Sequence, residues 1–319
     1  MDILAELEKR VGIIIPGEDA QPRMVGFKDI LDVVATGIYF VDRDRKIVYW
    51  NKGAEIISGY KAGEVLGRPC SDNILTHVNH QGESLCQGAC PLASTMTDGE
   101  PRKAQVFLYY KGGYRLPVMV TTDAIRDGRG NIIGGIELFH DLSSPMAAIE
   151  RLEDLGDTAH LDTVSGMVTP DYLKAFVADR LNDLKDFSLP CSIALIDIDD
   201  LAKLQERYGQ AVGDQIVAMV AKTLAKNSRS FDLVGRWGNS EFGCILANQD
   251  RQTLADSAEK YHRLIAQSRL PHETGDIKVT VSVGATLARP DDTLESLAQR
   301  AGELLAQSKS AGGSRVTVA

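Results

Sequence analysis

The sequence predicts a two-domain protein in which an α+β domain with an antiparallel sheet precedes a layered α/β domain. Its 319 residues are enough for two domains at a prior of roughly 150 residues each. In the first half, alternating apolar and polar runs are separated by glycine-containing turns, which is typical of half-buried strands. In the second half, strands alternate with helices, as in α/β layer architectures.

The composition is that of a globular protein with an acidic charge balance. Hydrophobic residues make up 44% of the chain and charged residues 25%, which excludes a collagen-like, disulfide-scaffold or largely disordered chain. The 44 acidic residues outnumber the 35 basic ones, giving a net charge of −9. This balance disfavours a nucleic acid or an anionic membrane as the main partner.

The distribution of apolar residues and cysteines predicts a cytoplasmic protein. No apolar run reaches the roughly 20 residues of a membrane helix, and the first residues lack the pattern of a signal peptide. In a reducing compartment we expect no structural disulfide among the five cysteines. Cys191 and Cys244 stand in apolar segments and are expected in the core.

The first half divides into a short N-terminal segment and a sheet domain. Apolar residues at helical spacing predict an amphipathic helix over residues 1–12, followed by a linker with prolines and glycine up to residue 25. Residues 26–142 then form one domain. Two strands flank the Asp-Arg-Asp turn at 42–44, and a helix follows them. Three further strands are predicted in the segments AQVFLYY, YRLPVMVTTDAI and NIIGGIELFHDL.

Residues 143–161 have the composition of a helical connector. Met146, Ile149, Leu152 and Leu155 recur every three residues on an otherwise charged segment. A single apolar stripe of this kind suits pairing with a second copy of the chain, so we expect a homodimer. The alternative is a helix that packs on its own domain.

The second domain, residues 162–319, carries candidate metal ligands near its start. The apolar strand SIALIDIDD ends in Asp197 and Asp199, whose side chains point the same way because strand side chains alternate. Two carboxylates at a strand end can hold Mg²⁺, which takes oxygen ligands and substrate phosphates. The alternative is a solvated strand end.

Five blocks of this domain occur in an order that resembles the GGDEF domain of diguanylate cyclases. They are DTVSGMVTPDYL, ALIDIDDLAKLQERYGQAVGDQIV, RSFDLVGRWGNSEF, VTVSVGATLA and SKSAGGSRV. The resemblance implies a nucleotidyl cyclase-like α/β fold in which two domains, each holding GTP and Mg²⁺, face each other and form cyclic di-GMP. In this resemblance Asp197 matches a metal-binding aspartate of the family.

The family signature Gly-Gly-Asp/Glu-Glu-Phe is altered in this chain, where it becomes Gly238-Asn239-Ser240-Glu241-Phe242. The resemblance makes Gly238 and Asn239 nucleotide-contacting positions and Glu241 a catalytic remnant. Asn239 adds a side chain where the backbone approaches the nucleotide. Ser240 replaces an acidic metal ligand, and a neutral hydroxyl does not substitute for an anionic oxygen on Mg²⁺.

The other nucleotide contacts implied by the resemblance are only partly kept. Gln205 stands at the guanine-binding asparagine, Asp214 matches its aspartate partner, and Lys309 matches a phosphate-contacting lysine. Gly313 replaces an arginine, and Thr169-Pro170 replaces the Asn-Arg pair near the start of the domain. Since phosphoryl transfer depends on positioning and charge, these changes predict a weak or inactive cyclase.

The RxxD motif Arg229-Ser230-Phe231-Asp232 ends five residues before Trp237. At this offset the resemblance implies the inhibitory site that binds cyclic di-GMP. An arginine can clamp a phosphate or a guanine edge, and an aspartate can accept from guanine N–H groups. The alternative is an ordinary surface Arg–Asp pair.

The segment DVVATGIYFVDRDRKIVYWNKGAEIISGY and the closing GIELFHDLS resemble a PAS domain. PAS domains are sensory modules that often precede GGDEF domains through a helical connector. The resemblance implies that a signal in this domain changes the connector and the relation of the C-terminal domains.

Five residues in the middle of this domain are sensory candidates: Cys70, His77, His80, Cys86 and Cys90. Thiols and imidazoles suit Zn²⁺ or an iron–sulfur cluster. A redox-active thiol pair and plain packing of a short helix are the alternatives. Haem is disfavoured because the helix CPLASTMTDG contains no histidine, and flavin is disfavoured because its Asn and Gln contacts are not matched.

Three functions follow as hypotheses. In the first, the GGDEF domain is catalytically impaired and binds guanine nucleotides, GTP or cyclic di-GMP. In the second, it is an active diguanylate cyclase with an unorthodox signature that uses Mg²⁺ on Asp197. In the third, it is an interaction module for a regulatory protein and needs no nucleotide.

Overall fold

The computed structural model describes residues 13–15, 23–25, 27–72, 74–86, 88–143, 146–154 and 156–319. The helix expected over residues 1–12 lies outside the described residues. The chain divides into two compact units, the first containing most residues up to Leu142 and the second containing Ser143–Ala319. No helix in the described ranges is both long enough and apolar enough to span a membrane.

A small antiparallel pair lies within the stretch that the sequence predicts as a linker. It consists of β1 (Ile13–Ile15) and β2 (Arg23–Val25). Strands of three residues are too short to show the alternation that marks a strand in sequence, which is why the pair was not predicted.

The first unit contains a five-stranded antiparallel sheet with the strand order β4-β3-β7-β6-β5. This confirms the predicted five strands with helices inserted after the second. The elements are α1 (Phe27–Val33), β3 (Gly37–Asp42), β4 (Ile47–Trp50), α2 (Lys52–Ser58), α3 (Ala62–Val65), α4 (Pro91–Asp98), β5 (Arg102–Tyr109), β6 (Arg115–Arg126) and β7 (Ile132–Asp141).

Two side chains fix the start of this sheet. Asp42 accepts hydrogen bonds from the backbone N–H groups of Asp44 and Lys46, both at 2.9 Å, and so closes the predicted β3–β4 turn. Asn51 is fully buried and accepts from the N–H groups of Ala54 and Ile38, both at 2.8 Å. It thereby caps α2 and ties that helix to β3.

The connector forms helix α5 (Ala147–Asp154). Met146, Ile149 and Leu152 are buried within this chain, at 4%, 9% and 6% exposure. The Val234 N–H lies 3.3 Å from Met146 Sδ, so the stripe packs on the second unit. This agrees with the alternative that the helix packs on its own domain, and the homodimer stays a prediction.

The second unit is an α/β layer structure around a mixed sheet of order β14-β13-β8-β10-β9. Its elements are a 3₁₀ turn (Thr158–His160), α6 (Pro170–Phe187), β8 (Cys191–Ile198), α7 (Leu201–Tyr208), α8 (Gln210–Lys226), β9 (Leu233–Arg236), β10 (Glu241–Ala247), α9 (Arg251–Ala266), β11 (Arg269–Leu270), β12 (Ile277–Lys278), β13 (Val281–Leu287), α10 (Leu294–Ser310) and β14 (Val316–Val318).

The central strand β8 determines where the candidate site lies. All eight of its residues are buried, which explains the continuous apolar run in the sequence. In the pairing register Asp197 stands opposite Glu241 of β10 on one side and Ser282 of β13 on the other. Cys191 and Cys244 are buried core residues, as predicted.

Candidate functional site

The Asp197 carboxylate lies near the end of β8 and has a side-chain partner on each oxygen. Asp197 is only 4% exposed. Ser240 Oγ donates a hydrogen bond to Oδ2 at 2.8 Å, and Lys309 Nζ lies 2.8 Å from Oδ1. A hydroxyl and an ammonium group therefore cover the two positions from which this aspartate would bind a metal.

The β9–β10 turn holds Ser240 in this position. The Ile198 N–H donates to the Ser240 carbonyl at 3.0 Å, and the Trp237 N–H donates to the Glu241 carbonyl at 2.9 Å. Neither Gly238 nor Asn239 is among the described residues with a left-handed backbone. The exposed Asn239 is thus accommodated without backbone strain, and its effect is to add a side chain at the turn.

Glu241 is the second carboxylate of the site and is half-buried. Burial and the neighbouring Asp197 carboxylate raise the pKa of Glu241, while the Lys309 ammonium acts in the opposite direction. The site therefore holds two close carboxylates and one cation.

Asp199 is held by three donors beside the same cavity. Thr280 Oγ1 and Ser282 Oγ donate to it at 2.7 Å each, and the Ser314 N–H donates at 3.0 Å. The cavity has a volume of about 500 Å³, and its lining residues are Asp197, Asp199, Asp200, Thr280, Lys309, Gly312, Gly313 and Ser314. The strand-end aspartates and the C-terminal lysine thus line one cavity.

Gly313, which replaces an arginine of the family, has a left-handed backbone with φ 71°. A Cβ built at this position would lie 3.4 Å from Asp199 Oδ1. A larger residue there is strained by its backbone conformation and close to the Asp199 carboxylate.

Binding of Mg²⁺ to Asp197 requires the Ser240 or Lys309 side chain to move aside. Mg²⁺ needs several free oxygen ligands, but the Asp197 oxygens already face Ser240 and Lys309. In the described part of the chain, no three His, Cys, Asp or Glu side chains are grouped so that they could hold a metal ion.

The two positions matched to guanine binding lie on a pair of successive helices. Gln205 of α7 packs over Gly213 of α8, where an added Cβ would come 2.3 Å from Gln205 Cγ. Asp214, the next residue, accepts from Gln210 Nε2 at 2.8 Å. Gln205 thus contacts the residue that precedes Asp214, and neither Gln205 nor Asp214 lines the Asp197 cavity.

The RxxD motif forms a turn before β9 that is fixed by its own aspartate. Asp232 is 4% exposed and accepts from the N–H groups of Arg229 at 2.8 Å and Ala247 at 3.2 Å. Burial raises the pKa of this carboxyl group. The Arg229 side chain is exposed. Asp232 therefore anchors the turn, and the turn presents Arg229 to solvent.

A cavity of about 260 Å³ lies beside this turn and was not predicted from the sequence. Its lining residues are Ala148, Phe176, Arg180, Asp183, Leu189, Pro190, Cys191, Ser230, Phe231, Asp232, Ala247 and Asn248. Phe231 is 78% exposed. The sequence signal that could have indicated this cavity is Phe231, an aromatic residue between the polar residues Ser230 and Asp232.

The sensory candidates of the first unit differ in burial. Cys70, His77 and Cys90 are buried, Cys86 is half-buried and His80 is exposed. Cys86 lies outside a helix, and Cys90 immediately precedes α4, so the two thiols do not share a helix face. Burial raises the pKa of the Cys70 thiol to about 12. Cys70 is therefore a neutral thiol.

Glu137 of β7 is a buried ionisable residue that the sequence did not single out. It is 1% exposed, and its Oε1 lies 3.7 Å from His77 Nε2. Burial raises its pKa to about 8, and a hydrogen bond with Tyr39 acts in the opposite direction. Glu137 stands opposite Tyr39 in the strand register but 60 residues from His77 in the chain.

Two family profiles match the chain in succession. Residues 35–144 match a PAS domain profile, and residues 159–315 match the profile described as "Diguanylate cyclase, GGDEF domain". The two matches fall on the sheet domain and on the α/β domain described above.

Two curated relatives are named as diguanylate cyclases. Diguanylate cyclase A of Treponema denticola is 31% identical over 128 residues, covering 40% of this chain and 34% of the relative. Diguanylate cyclase DgcM of Escherichia coli K12 is 26% identical over 182 residues, covering 57% of this chain and 43% of the relative. The chain spans less than half the length of these two relatives.

Solved structures support the fold of the second unit. The coiled coil and GGDEF domain of DgcB from Caulobacter crescentus, in complex with c-di-GMP, aligns with a TM-score of 0.50 at 22% identity, covering 53% of this chain and 91% of that one. Diguanylate cyclase SiaD from Pseudomonas aeruginosa, in complex with its activator SiaC, aligns with a TM-score of 0.51 at 22% identity, covering 53% and 65%. At this identity the likeness concerns the fold alone.

Proposed function

We propose that this chain, in which a PAS domain is followed by a GGDEF domain, has a catalytically impaired GGDEF domain. In this proposal the domain binds cyclic di-GMP or GTP and relays a signal received by the PAS domain. The protein is then a cytoplasmic nucleotide-responsive regulator rather than an efficient cyclase.

The observation that carries the proposal is the state of the Asp197 carboxylate. Its oxygens face the Ser240 hydroxyl and the Lys309 ammonium, each at 2.8 Å. Ser240 stands where the family has an acid, so one negative charge is missing from the Mg²⁺ site. Catalysis of phosphoryl transfer requires the enzyme to stabilise negative charge on the transferring phosphoryl group. The loss of one metal ligand and the altered turn therefore remove most of the rate enhancement.

Binding is proposed at the Arg229–Asp232 turn. The Arg229 guanidinium is exposed on a turn that Asp232 fixes through backbone hydrogen bonds. A fixed, exposed guanidinium suits a phosphate or a guanine edge because its planar donors match two acceptors at once. The complex of the DgcB domain with c-di-GMP supports this ligand class.

A second candidate function is an active cyclase with the Gly-Asn-Ser-Glu-Phe signature. It is favoured by the cavity of about 500 Å³ that Asp197, Asp199 and Lys309 share. In this alternative, nucleotide displaces Lys309 from Asp197, and Lys309 then contacts phosphate.

Calorimetric titration of the full chain with cyclic di-GMP tests the binding proposal. We expect saturable binding that Arg229→Ala abolishes or weakens by at least about tenfold, as for a lost charge-assisted bidentate contact. Arg251→Ala, which removes another exposed arginine of the same domain, serves as the matched control and leaves binding unchanged. Equal affinity of wild type and Arg229→Ala, or no binding by either, contradicts the proposal.

A sensory role is proposed for the PAS domain through Cys70, His77, His80, Cys86 and Cys90. The burial of the Cys70 and Cys90 thiols and of the His77 imidazole within the same sheet domain supports it. An absorbance spectrum of anaerobically purified protein tests for haem, flavin or an iron–sulfur cluster together, and metal analysis tests for zinc. A featureless spectrum without bound metal leaves thiol chemistry or packing as the role of these residues.

A further inference from the structure

We propose that the Lys309 ammonium competes with a divalent cation for the Asp197 carboxylate, and that an oxyanion which binds Lys309 relieves this competition. Metal and oxyanion then bind cooperatively in the cavity that Asp197 and Lys309 share. The inference concerns this cavity alone, so it does not depend on the binding proposed at the Arg229–Asp232 turn.

Lys309 occupies the position in front of one oxygen of Asp197. Its Nζ lies 2.8 Å from Oδ1, and the Asp197 side chain is only 6% exposed. A metal ion at Oδ1 must replace the ammonium, because two cations repel each other strongly at such short range. Lys309 belongs to the last turn of α10, so the fold keeps its ammonium near Asp197 at a high effective concentration.

The Ser240 hydroxyl, the other partner of Asp197, is a weaker obstacle to a cation. Ser240 Oγ donates to Asp197 Oδ2 at 2.8 Å. A hydroxyl carries no net charge and has lone pairs of its own, so it can rotate and remain beside a bound metal. An ammonium has three donors and no acceptor, so it must leave. Lys309 is therefore the group that excludes the metal.

The two close carboxylates of the site make a divalent cation a strong competitor once Lys309 has another partner. Glu241 stands opposite Asp197 in the strand register and is half-buried. Lys309 supplies one positive charge to this pair, whereas a divalent cation supplies two. Asp199 takes no part in the competition, because two hydroxyl groups and one backbone N–H already donate to its oxygens.

An oxyanion in the cavity provides Lys309 with that other partner. The Lys309 side chain is 45% exposed, and the cavity beside it has a volume of about 500 Å³. When the ammonium pairs with a phosphate- or sulfate-type anion, Asp197 Oδ1 becomes available to the metal. Because the coupling between two ligands is reciprocal, the metal strengthens oxyanion binding by the same factor.

The test is Mn²⁺ binding to the full chain, measured by the loss of the electron paramagnetic resonance signal of free Mn²⁺. Lys309→Met is expected to bind Mn²⁺ at least about tenfold more tightly than wild type, which corresponds to about 1.4 kcal/mol. Lys309→Gln should behave in the same way, whereas Lys309→Arg keeps the cation and should bind like wild type. Lys185→Met removes an exposed lysine that does not line the cavity, so it is the matched control and leaves affinity unchanged.

A double variant locates the metal. Adding Asp197→Asn to Lys309→Met is expected to abolish the gain in Mn²⁺ affinity. A gain that persists in the double variant would mean that the metal binds elsewhere, and would overturn the proposal. An unchanged or weaker Mn²⁺ affinity in a folded Lys309→Met protein would also overturn it.

Sulfate tests the cooperative part with the wild-type protein. At an ionic strength held constant with chloride, sulfate is expected to strengthen Mn²⁺ binding by wild type but not by Lys309→Met. No effect of sulfate on wild type, or an equal effect on both proteins, contradicts the role of Lys309, and the wild-type measurement decides even if the variants do not fold. These experiments contain no nucleotide, so their failure is distinguishable from a failure of cyclic di-GMP binding.

Discussion

Asp197 and Asp232 are equally buried aspartates of one domain, at 4% exposure each, but they are held in different ways. Asp197 is held by side chains, the Ser240 hydroxyl and the Lys309 ammonium. Asp232 is held by the backbone N–H groups of Arg229 and Ala247. Side-chain partners can turn away when a ligand arrives, whereas backbone partners belong to the fold.

This difference suggests that Asp197 faces a ligand, whereas Asp232 has a structural role in the RxxD motif. Lys309 keeps 45% of its side chain exposed, so it can leave Asp197 for a phosphate. Asp232 cannot release its partners without opening the turn before β9. In the RxxD motif the groups free to meet a ligand are therefore Arg229 and Phe231.

The largest effect on stability is expected for Asp232→Ala. Two buried backbone N–H groups lose a charged acceptor, so we expect the free energy of unfolding to fall by about 3 kcal/mol. Asp197→Ala should cost about 1 kcal/mol because its partners face a cavity and can bind water. Urea unfolding followed by Trp237 fluorescence in a Trp50→Phe background measures both, and equal losses would remove the distinction between the two aspartates.

The next effect concerns catalysis. Ser240→Asp restores an acid beside Asp197 and is expected to raise Mg²⁺- or Mn²⁺-dependent formation of cyclic di-GMP by at least about tenfold, the equivalent of about 1.4 kcal/mol. Adding Asn239→Gly should raise it further. Ser240→Ala is the control, since it frees Asp197 of the hydroxyl without adding charge. A gain from Ser240→Ala equal to that from Ser240→Asp would contradict the missing-charge account.

The pH dependence of stability provides a smaller effect. Burial raises the pKa of Asp232 above the value of about 3.9 in an unfolded chain. Between these two pKa values the native state binds more protons, so stability falls as pH rises through this window and is level above it. Asp232→Asn, which does not titrate, should lack this component. The free energy of unfolding of both proteins is measured from about pH 4 to pH 7. The same pH dependence in wild type and Asp232→Asn would show that Asp232 does not titrate in this way.

The smallest effect is expected at Gly313. Its left-handed backbone makes Gly313→Ala destabilising by about 1 kcal/mol. Gly302→Ala, inside α10 with no neighbour within 4 Å of the added Cβ, should stabilise by up to about 1 kcal/mol. If the fold fixes the backbone at Gly313, the Tm falls in Gly313→Ala and rises in Gly302→Ala, as measured by thermal unfolding. A stable Gly313→Ala would mean that the loop adapts, and that an arginine there is tolerated.

Much of the fold followed from the sequence because it rests on local patterns. The alternation in the first half predicted five antiparallel strands, and the apolar segment that contains Asp197 predicted a strand, which lies at the centre of the second sheet. The pairing of Asp197 with Lys309 was not predicted, since no local pattern joins residues 112 positions apart.

The remaining features depend on contacts between distant segments. Asp232 meets the Ala247 N–H only because β9 and β10 form a hairpin, and Glu137 meets His77 only across the sheet interior. The apolar stripe of the connector fits two surfaces, a second helix or its own domain. Its pattern does not distinguish them, because both would bury the same side chains.

The most direct test of the central claim is turnover by the intact chain. The purified protein is incubated with GTP and Mg²⁺, then with Mn²⁺, and cyclic di-GMP is followed by chromatography. The account predicts at most a trace of product from a preparation whose folding is verified by its cooperative unfolding. Robust product formation that Asp197→Ala abolishes would contradict it, because the Asp197 site would then work with Ser240 and Lys309 in place.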